Sequence, residues 1–276
     1  MIIYENFFEM KATPFVRNVP TERLYRSAQI DDAIGRLRYT ADKQKFATVM
    51  AEPGCGKSTL IRMFVSGLPR DKYLALYLSD SKLTPRWLYS GLLNQMGLEP
   101  RFYRGDSKRD LQKELETVWT AQGRRVVCIL DEAHLLEKET LEEFRFLLNM
   151  EYDSVSNLAL ILVGQKELWE KKLRLQAYAA IRQRIDISII LGRLDRSEVG
   201  KYIRSHLDYA GYMGDLFTSD AEEEIYRVSG GIPRMINRIC EKTLLYAYQQ
   251  KKRMIDGHMV RYVADHEMMQ ADTIKM

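Results

Sequence analysis

One short segment has residue types and spacing suited to holding phosphates: residues 51–58, which read Ala-Glu-Pro-Gly-Cys-Gly-Lys-Ser. An apolar run precedes it and a helical pattern follows, so we expect a strand, a Gly-rich turn and a helix start. Backbone N–H groups of the turn and the positive end of the helix dipole would face the phosphates. The pattern predicts ATP and Mg²⁺ as cofactors, and it predicts these nucleotide-binding residues: Pro53, Gly54, Cys55, Gly56, Lys57, Ser58 and Thr59.

Two side chains in this segment have specific expected roles. The Lys57 ammonium would reach the β- and γ-phosphates, and the Ser58 hydroxyl would help to hold Mg²⁺. The usual pattern begins with Gly, whereas this sequence has Ala51. Alanine costs little at that position if its φ is negative, because only a positive φ favours glycine. A Gly-containing turn without a ligand is the alternative, and the flanking strand and helix patterns favour phosphate binding over it.

A second motif places two acidic residues at the end of an apolar run. Residues 126–130 read Val-Val-Cys-Ile-Leu and predict a central parallel strand that is buried on both faces. Asp131 and Glu132 follow at its carboxyl end, where α/β sheets bind ligands. Asp131 would join Ser58 in holding Mg²⁺, and Glu132 would orient and polarise the attacking water. A strand that merely ends at a charged helix start is the alternative. Together the two motifs predict hydrolysis of a nucleoside triphosphate.

Length and composition set the class of protein. The chain has 276 residues, of which 46% are hydrophobic, enough for one large core and a small second domain. The net charge of +4 permits nucleic-acid binding without arguing for it. The three cysteines have no metal-ligand spacing, which indicates reduced thiols in a cytoplasmic protein. The sequence contains no signal-peptide pattern and no apolar run of membrane-spanning length, so we expect no membrane partner.

Strand and helix patterns alternate up to about Gly192, and only helical patterns follow. This alternation indicates parallel strands joined by crossover helices. The predicted strands are residues 46–50, 74–78, 126–130, 158–163 and 185–191. The predicted helices are residues 27–42, 57–66, 85–96, 108–122, 138–149, 166–171, 195–210, 219–229, 233–251 and 257–267. The predicted fold class is α/β, with a five-stranded parallel P-loop core in residues 1–192. A small all-α lid with a short tail would form residues 193–276, and residues 1–24 would pack across the sheet edge near the nucleotide base.

Three further segments resemble motifs of the AAA+ ATPases, whose α/β core is followed by a helical lid. They are Leu-Val-Gly-Gln ending at Gln165, Ala-Ile-Arg-Gln-Arg-Ile ending at Ile185, and Ser-Gly-Gly-Ile-Pro-Arg ending at Arg234. The resemblance implies that Gln165 contacts the γ-phosphate or the attacking water. A strand-end Gln that caps the next helix is the alternative. The resemblance also implies that Arg234 reaches back to the phosphates and links the position of the lid to the nucleotide state.

The same resemblance implies that an arginine acts on the nucleotide of the neighbouring subunit. A guanidinium supplied across an interface offsets transition-state charge. Arg184 is the favoured residue and Arg182 the second choice, with ordinary surface charge as the alternative for each. Such an enzyme would be active only as an assembly, either a ring or an open helical filament.

The resemblance narrows to the ExeA-type AAA ATPases over nearly the entire chain. It rests on the opening Tyr-Glu-Asn-Phe-Phe from residue 4, on Asp-Glu-Ala-His from residue 131, and on Gly-Ile-Pro-Arg-Met-Ile-Asn-Arg from residue 231. That family includes secretion ATPases, and it includes relatives of the MuB, IstB, TniB and TnsC type that accompany transposases. A secretion ATPase would carry a transmembrane segment and a wall-binding domain after the lid, so this sequence favours a transposition regulator. The sequence disfavours two further classes. A DEAH-type helicase needs two nucleotide-type cores, and this sequence has one. A small-molecule kinase would need neither the lid motif nor an interface arginine.

The transposition-type resemblance implies double-stranded DNA and a transposase as partners. Residues 81–109 contain six basic and two acidic side chains. By position, the residues expected to contact DNA phosphates without sequence preference are Lys82, Arg86, Arg104, Ser107 and Lys108. A solvated basic face is the alternative. Two aromatic residues of this region, Trp87 and Phe102, are predicted to lie in the core.

Overall fold

The computed structural model describes residues 4–80, 83–148 and 156–268, apart from the side chain of Phe146. The chain divides into two compact units. One, the sheet unit, comprises Ala28–Pro53 and Lys57–Leu191. The other, the helical unit, comprises, among the described residues, 4–27, Gly54–Gly56 and 192–268. Residues 4–27 therefore group with the helices after Gly192, whereas the sequence analysis assigned them to the nucleotide-binding domain.

The sheet unit has the five parallel strands that the sequence predicts, so the α/β fold class is confirmed. The strands lie in the order β2-β3-β4-β1-β5, and every neighbouring pair is parallel. Their bounds are Phe46–Ala51 (β1), Tyr73–Leu78 (β2), Arg125–Leu130 (β3), Leu158–Gly164 (β4) and Ile187–Leu191 (β5).

The three central strands are the most apolar segments, and the sheet buries them on both faces. All residues of β1 and β4 are buried, as are five of the six in β3. In the pairing register Leu130 lies beside Leu162, and Met50 lies beside Gly164. The residues that follow β1, β3 and β4 consequently meet at one edge of the sheet, which is where the two predicted motifs lie.

Helices cover this sheet with apolar faces. Leu88 and Leu92 of one helix, Leu111 of the next and Phe144 of the third belong to one buried cluster with the strands. The helices are Ala28–Asp42 (α1), Lys57–Ser66 (α2), Pro85–Gln95 (α3), Arg104–Thr120 (α4), Lys138–Leu147 (α5) and Ala179–Arg182 (α6), with a π-helical turn at Leu168–Leu173. Helix α4 begins one turn earlier than predicted, and Asp106 in its first turn is favourable to the helix dipole.

The helical unit packs four amphipathic helices around a second core. They are Arg196–Tyr209 (α7), Ser219–Ser229 (α8), Pro233–Gln249 (α9) and Gly257–His266 (α10). Tyr4, Phe8 and Phe15 of the N-terminal segment belong to this core, and Phe15 stacks on His206 with ring centroids 5.2 Å apart. The large apolar rings of this segment are thus buried in the core of the helical unit, and its expected packing near the nucleotide base stays a prediction.

We also compared the helices with the length and hydropathy that a bilayer span requires. Among the described residues, no helix combines the two.

Candidate nucleotide-hydrolysis site

The phosphate loop has the backbone that its glycines predict. Gly54 and Gly56 have φ angles of 87° and 92°, a region that side chains rarely tolerate. A Cβ added to Gly56 would find no atom within 4 Å, so the backbone there is open to an approaching ligand. Ala51 is the last residue of β1 and pairs with Leu191 in the sheet, so this position requires no glycine.

Lys57 is the first residue of α2, and its ammonium points back over the loop. Its Nζ donates to the carbonyl oxygens of Ala51 at 3.1 Å and Glu52 at 3.3 Å. Ser58 follows at the start of the helix and is exposed. Phosphate oxygens at the helix N-terminus would offer this ammonium stronger, charged acceptors than the two carbonyls. The loop therefore fits a triphosphate.

Asp131 is a buried carboxylate that two neutral groups hold in place. Its Oδ2 accepts a hydrogen bond from the Tyr77 hydroxyl at 2.7 Å, and its Oδ1 accepts from the Glu132 N–H at 2.8 Å. Burial and then the hydrogen bond to Asp131 raise the pKa of Tyr77, so the phenol stays a neutral donor. Carboxylate and hydroxyl oxygens are ligands that Mg²⁺ prefers. Asp131 and Ser58 thus have the donor chemistry that the predicted metal site requires.

Tyr77 is a site residue that the sequence analysis did not identify. Its backbone is fixed by the Gln95 amide, which accepts from Tyr77 N–H at 2.9 Å and donates to Tyr77 C=O at 2.8 Å. Tyr77 pairs with Ile129 in the sheet, one strand away from the acidic motif. In the sequence, Tyr77 is indicated only by its position near the end of a predicted strand.

Glu132 has an unusual backbone conformation. Its φ and ψ are 53° and 30°, the left-handed region, which costs a residue other than glycine about 1–2 kcal/mol. The chain then enters a 3₁₀ turn at Ala133–Leu135, in which Ala133 is buried. The Glu132 side chain is 42% exposed. Strain of this kind is concentrated at functional sites, and here it sets the direction of a partly exposed carboxylate.

His134 lies between the acidic motif and the end of β4. Its Nδ1 is 3.4 Å from Glu132 Oε2 and 3.4 Å from the backbone N of Gln165. A Cβ on Gly164 would come within 3.2 Å of the His134 backbone N, so the close approach depends on that glycine. Gln165 therefore lies beside the hydrolytic motif, as its predicted role requires, and that role stays a prediction.

The two candidate interface arginines have different surroundings. Arg182 Nη1 donates to the carbonyl oxygens of Leu173 at 2.8 Å and Arg174 at 2.9 Å, so its guanidinium binds the end of the π-helical turn. Arg184 lies in the turn between α6 and β5 and is partly exposed. The choice between the two arginines for contact with a neighbouring subunit stays a prediction.

Arg234 is the second residue of α9, directly after Pro233 at the first helical position. Its side chain is exposed, and its N–H donates to the Gly54 carbonyl at 3.3 Å within the helical unit. A Cβ on Gly54 would come within 3.0 Å of the side chains of Ile232 and Arg234. Gly54 is therefore needed both for its φ and for this close approach.

Two of the predicted DNA-binding side chains, Arg104 and Lys108, are paired with acids from α5. Arg104 Nη1 is 3.1 Å from Glu139 and 3.5 Å from Glu143, and Lys108 Nζ is 3.3 Å from Glu143. The guanidinium of Arg86 lies over the ring of Phe102 in the loop before α4, 5.1 Å from the ring centroid. Lys82 lies outside the described residues. Counting the acids of residues 81–109 alone therefore overestimated the positive charge of this surface.

Ser107 does not fit its predicted role. It is 2% exposed, and its hydroxyl accepts from Arg101 N–H at 2.9 Å and donates to Arg101 C=O at 3.1 Å. The hydroxyl is thus used in closing the turn before α4. A phosphate contact would require both burial and these bonds to be lost.

The two aromatic residues expected in the core are at the surface. Trp87 is 62% exposed and Phe102 is 73% exposed, so that prediction was wrong. The buried face of α3 carries Leu88, Tyr89 and Leu92. Trp87 lies on the opposite side of the helix, and Phe102 lies in the loop before α4.

Comparison with known proteins places this geometry in context. Residues 40–171 match the family model described as AAA domain. The chain is 32% identical over 258 residues to general secretion pathway protein A of Aeromonas hydrophila, a match that covers 92% of this chain and 46% of that protein. This chain thus spans less than half the length of the curated relative.

Solved structures show the same fold at low sequence identity. The structure of Drosophila ORC bound to DNA matches with a TM-score of 0.70 and 15% identity, covering 99% of this chain and 66% of that one. The ADP form of the Aeropyrum pernix ORC2 protein matches with a TM-score of 0.65 and 14% identity, covering 91% of this chain and 71% of that one. The chain thus shares with these structures an α/β P-loop fold, a five-stranded parallel sheet with a helical C-terminal region.

Proposed function

We propose that this chain is a Mg²⁺-dependent ATPase whose nucleotide state controls its assembly on DNA. The observation that carries the proposal is the convergence of Lys57, Asp131 and Glu132 at one edge of the parallel sheet. The Lys57 ammonium, the buried Asp131 carboxylate and the partly exposed Glu132 carboxylate suit a reaction that transfers a phosphoryl group to water. The AAA-domain match and the relative of 32% identity support the same chemistry.

Each side chain has a task in this reaction. Lys57 binds the β- and γ-phosphates and withdraws from its two loop carbonyls to do so. Glu132 orients water for attack on the γ-phosphorus and takes its proton, while the bond to the ADP oxygen breaks. Mg²⁺, when bound by Ser58 and Asp131, supplies charge neutralisation for the triphosphate. Tyr77 keeps the Asp131 carboxylate aimed at that position.

An arginine of a second subunit offsets the remaining negative charge on the transferred phosphoryl group. Arg184 is the proposed donor, as the resemblance in the segment before β5 implies, and Arg182 is the second choice. Gln165 and Arg234 are the proposed contacts of the γ-phosphate. ATP then favours head-to-tail assembly into a ring or filament, and hydrolysis dismantles it.

The proposed working partner is double-stranded DNA, with a transposase recruited to the assembly. The resemblance to transposition-associated ATPases and the match to an ORC structure bound to DNA support this proposal. Arg86, Arg104 and Lys108 are the proposed phosphate contacts, without Ser107. Because acids from α5 balance two of these three cations, we expect modest affinity with a strong dependence on salt.

A second candidate is an ATPase that energises a protein assembly without DNA. The 32% identity to a general secretion pathway protein favours it. The exposed rings of Trp87, Phe102 and Tyr103 also favour it, because aromatic residues are enriched at protein interfaces.

Negative-stain imaging with a non-hydrolysable ATP analogue, with and without duplex DNA, separates the two candidates. The DNA proposal predicts rings or filaments that form on the duplex and dissolve as salt is raised. Assemblies that form equally without DNA, together with no nucleotide-dependent retention of duplex, would favour the protein-directed candidate. The Glu132→Gln variant with ATP should reproduce the assemblies obtained with the analogue.

A further inference from the structure

A groove between α4 and the loop before it is lined by residues for which the proposed reaction has no task. Its volume is about 580 Å³, within the range of pockets that bind small ligands. The loop forms an apolar wall with Leu98, Pro100 and Phe102, and the Phe102 ring is 73% exposed. The opposite wall is one face of α4, where the lining residues are Asp110, Lys113, Glu114 and Thr117.

The helical wall of this α4 groove has the length of a short peptide segment. Residues 110, 113, 114 and 117 recur at the spacing of one helix face, and seven residues of helix measure about 10 Å. An extended chain rises about 3.3 Å per residue, so about three residues of it match this wall. The groove therefore has room for the side chains of a short extended segment.

The α4 groove carries more acidic than basic side chains. Its three carboxylates, Glu99, Asp110 and Glu114, and its two cations, Arg101 and Lys113, leave a net charge of −1. Arg101 Nε is 2.9 Å from Asp110 Oδ2, so these two charges balance each other. Within residues 4–80, 83–148 and 156–268, neither Glu99 nor Glu114 forms an ion pair. Two carboxylates thus remain to balance a positive charge on a ligand.

This face of α4 is separate from the cations that are proposed to contact DNA. Arg104 and Lys108 lie beside the Glu143 carboxylate of α5, and the groove residues of α4 lie roughly 150° away from them around the helix axis. Surplus carboxylates repel phosphates, so DNA is not the ligand that the groove fits. An apolar wall beside carboxylates instead fits a cationic side chain with a long aliphatic stem.

We propose that the α4 groove binds an extended, arginine-containing segment of a partner protein. The aliphatic stem of an arginine packs on Leu98, Pro100 and Phe102, and its guanidinium pairs with Glu99 or Glu114. Arginine suits the groove better than lysine, because the planar guanidinium binds a carboxylate through two parallel hydrogen bonds. This binding needs neither ATP nor DNA, so the inference goes beyond the proposed function and does not rest on it.

Fluorescence anisotropy with a labelled peptide and the full chain tests the proposal. The probe is fluorescein-labelled Gly-Arg-Leu-Arg-Leu-Arg-Gly, in which alternate residues place the arginines on one side of an extended chain. The control peptide has citrulline in place of each arginine, which keeps the shape of the side chain and removes its charge. The arginine peptide should bind at least about tenfold more tightly, because charge-assisted hydrogen bonds are the stronger ones.

Matched variants of the chain locate the bound peptide. Glu114→Gln should weaken binding of the arginine peptide about fivefold, and the double variant with Glu99→Gln at least about tenfold. Glu116→Gln removes the same charge from α4 outside the groove and should leave the affinity near wild type. Phe102→Ala should also weaken binding, whereas Trp87→Ala, at an exposed ring outside the groove, should not.

Three results would overturn the proposal. Equal affinity for the two peptides would show that the groove does not recognise positive charge. Equal weakening by Glu114→Gln and Glu116→Gln would show that only the overall charge of the chain attracts the peptide. A change in duplex-DNA affinity or in self-association that is larger in the double variant than in Glu116→Gln would assign the groove to DNA or to a second copy. Phosphate release by the double variant should equal that of wild type, so failure of this proposal leaves the ATPase proposal standing.

Discussion

Two charged regions of the sheet unit balance their charges in different ways. At the strand ends, the buried Asp131 carboxylate is held by a tyrosine hydroxyl and a backbone N–H, both neutral donors. On the α4 surface, which we define as Arg86, Trp87, Phe102, Arg104 and Lys108, the last two cations already face carboxylates of α5. The carboxylate of the first region is thus left for a bound cation to balance, whereas two cations of the second region already have acidic partners. We therefore expect strong, specific ligand binding at the strand ends and weak, salt-sensitive binding on the α4 surface.

The interface arginine should give the largest effect. Arg184→Ala is expected to lower kcat by about a thousandfold while the affinity for ATP stays near wild type, because its charge acts in the transition state. Arg182→Ala should instead lower the thermal midpoint, since it removes two hydrogen bonds to carbonyl oxygens. Phosphate release, analogue binding and thermal unfolding of both variants test this division. Equal loss of kcat without destabilisation in Arg182→Ala would reverse the assignment.

Removing the loop ammonium should abolish most nucleotide binding. Lys57→Ala is expected to weaken ATP affinity by at least about a hundredfold, because two charge-assisted contacts to phosphate are lost from a partly buried site. Lys43→Ala, at an exposed position, is the matched control. Isothermal titration with an ATP analogue measures both. Near-normal affinity in Lys57→Ala would contradict the strong nucleotide binding that we expect at the strand ends.

A third buried group, the imidazole of His206, lies in the helical unit and is kept uncharged by its burial. Burial lowers the pKa of His206 to about 4. The unfolded chain binds a proton near pH 6.5 and the folded chain does not. The stability that this group contributes is therefore complete above pH 6.5 and is lost progressively as the pH falls towards 4. The full effect is ~3 kcal/mol.

Denaturant unfolding at pH 7.5 and pH 5 measures this effect on wild type and His206→Phe. The variant should lose less stability on acidification than wild type does. His258→Gln, at an exposed site, should behave as wild type. Identical pH dependence in wild type and His206→Phe would show that the imidazole is not kept neutral.

The smallest effect is expected where charges are already paired. Glu139→Gln removes one of the two acidic partners of Arg104, the exposed one, and should raise DNA affinity about twofold to threefold at low salt. Ser107→Ala should leave DNA affinity unchanged, because the hydroxyl is buried and bonds to the Arg101 backbone within its turn. Fluorescence anisotropy with a labelled duplex measures both, and Glu137→Gln is the nearby control. A loss of DNA affinity in Ser107→Ala would support the predicted contact between Ser107 and a DNA phosphate.

The sequence was sufficient for the elements whose signals are local. The apolar runs of β1, β3 and β4 and the glycines at 54 and 56 predicted the parallel core and the phosphate loop, since burial and positive φ are properties of single segments. Tyr77 and the pairing of Lys108 with Glu143 were not predictable in this way, because each joins elements that are distant in sequence. Trp87 was misassigned because its type suggested burial, whereas the side of α3 on which it lies decides its exposure.

The most direct test of the hydrolysis site is single-turnover phosphate release by Glu132→Gln beside Glu137→Gln, a neighbouring exposed glutamate. Glu132→Gln is expected to bind the ATP analogue as wild type does but to release phosphate at least about a hundredfold more slowly, and the Glu137 variant should be unaffected. Wild-type release from Glu132→Gln would contradict the assignment of this carboxylate as the group that activates water.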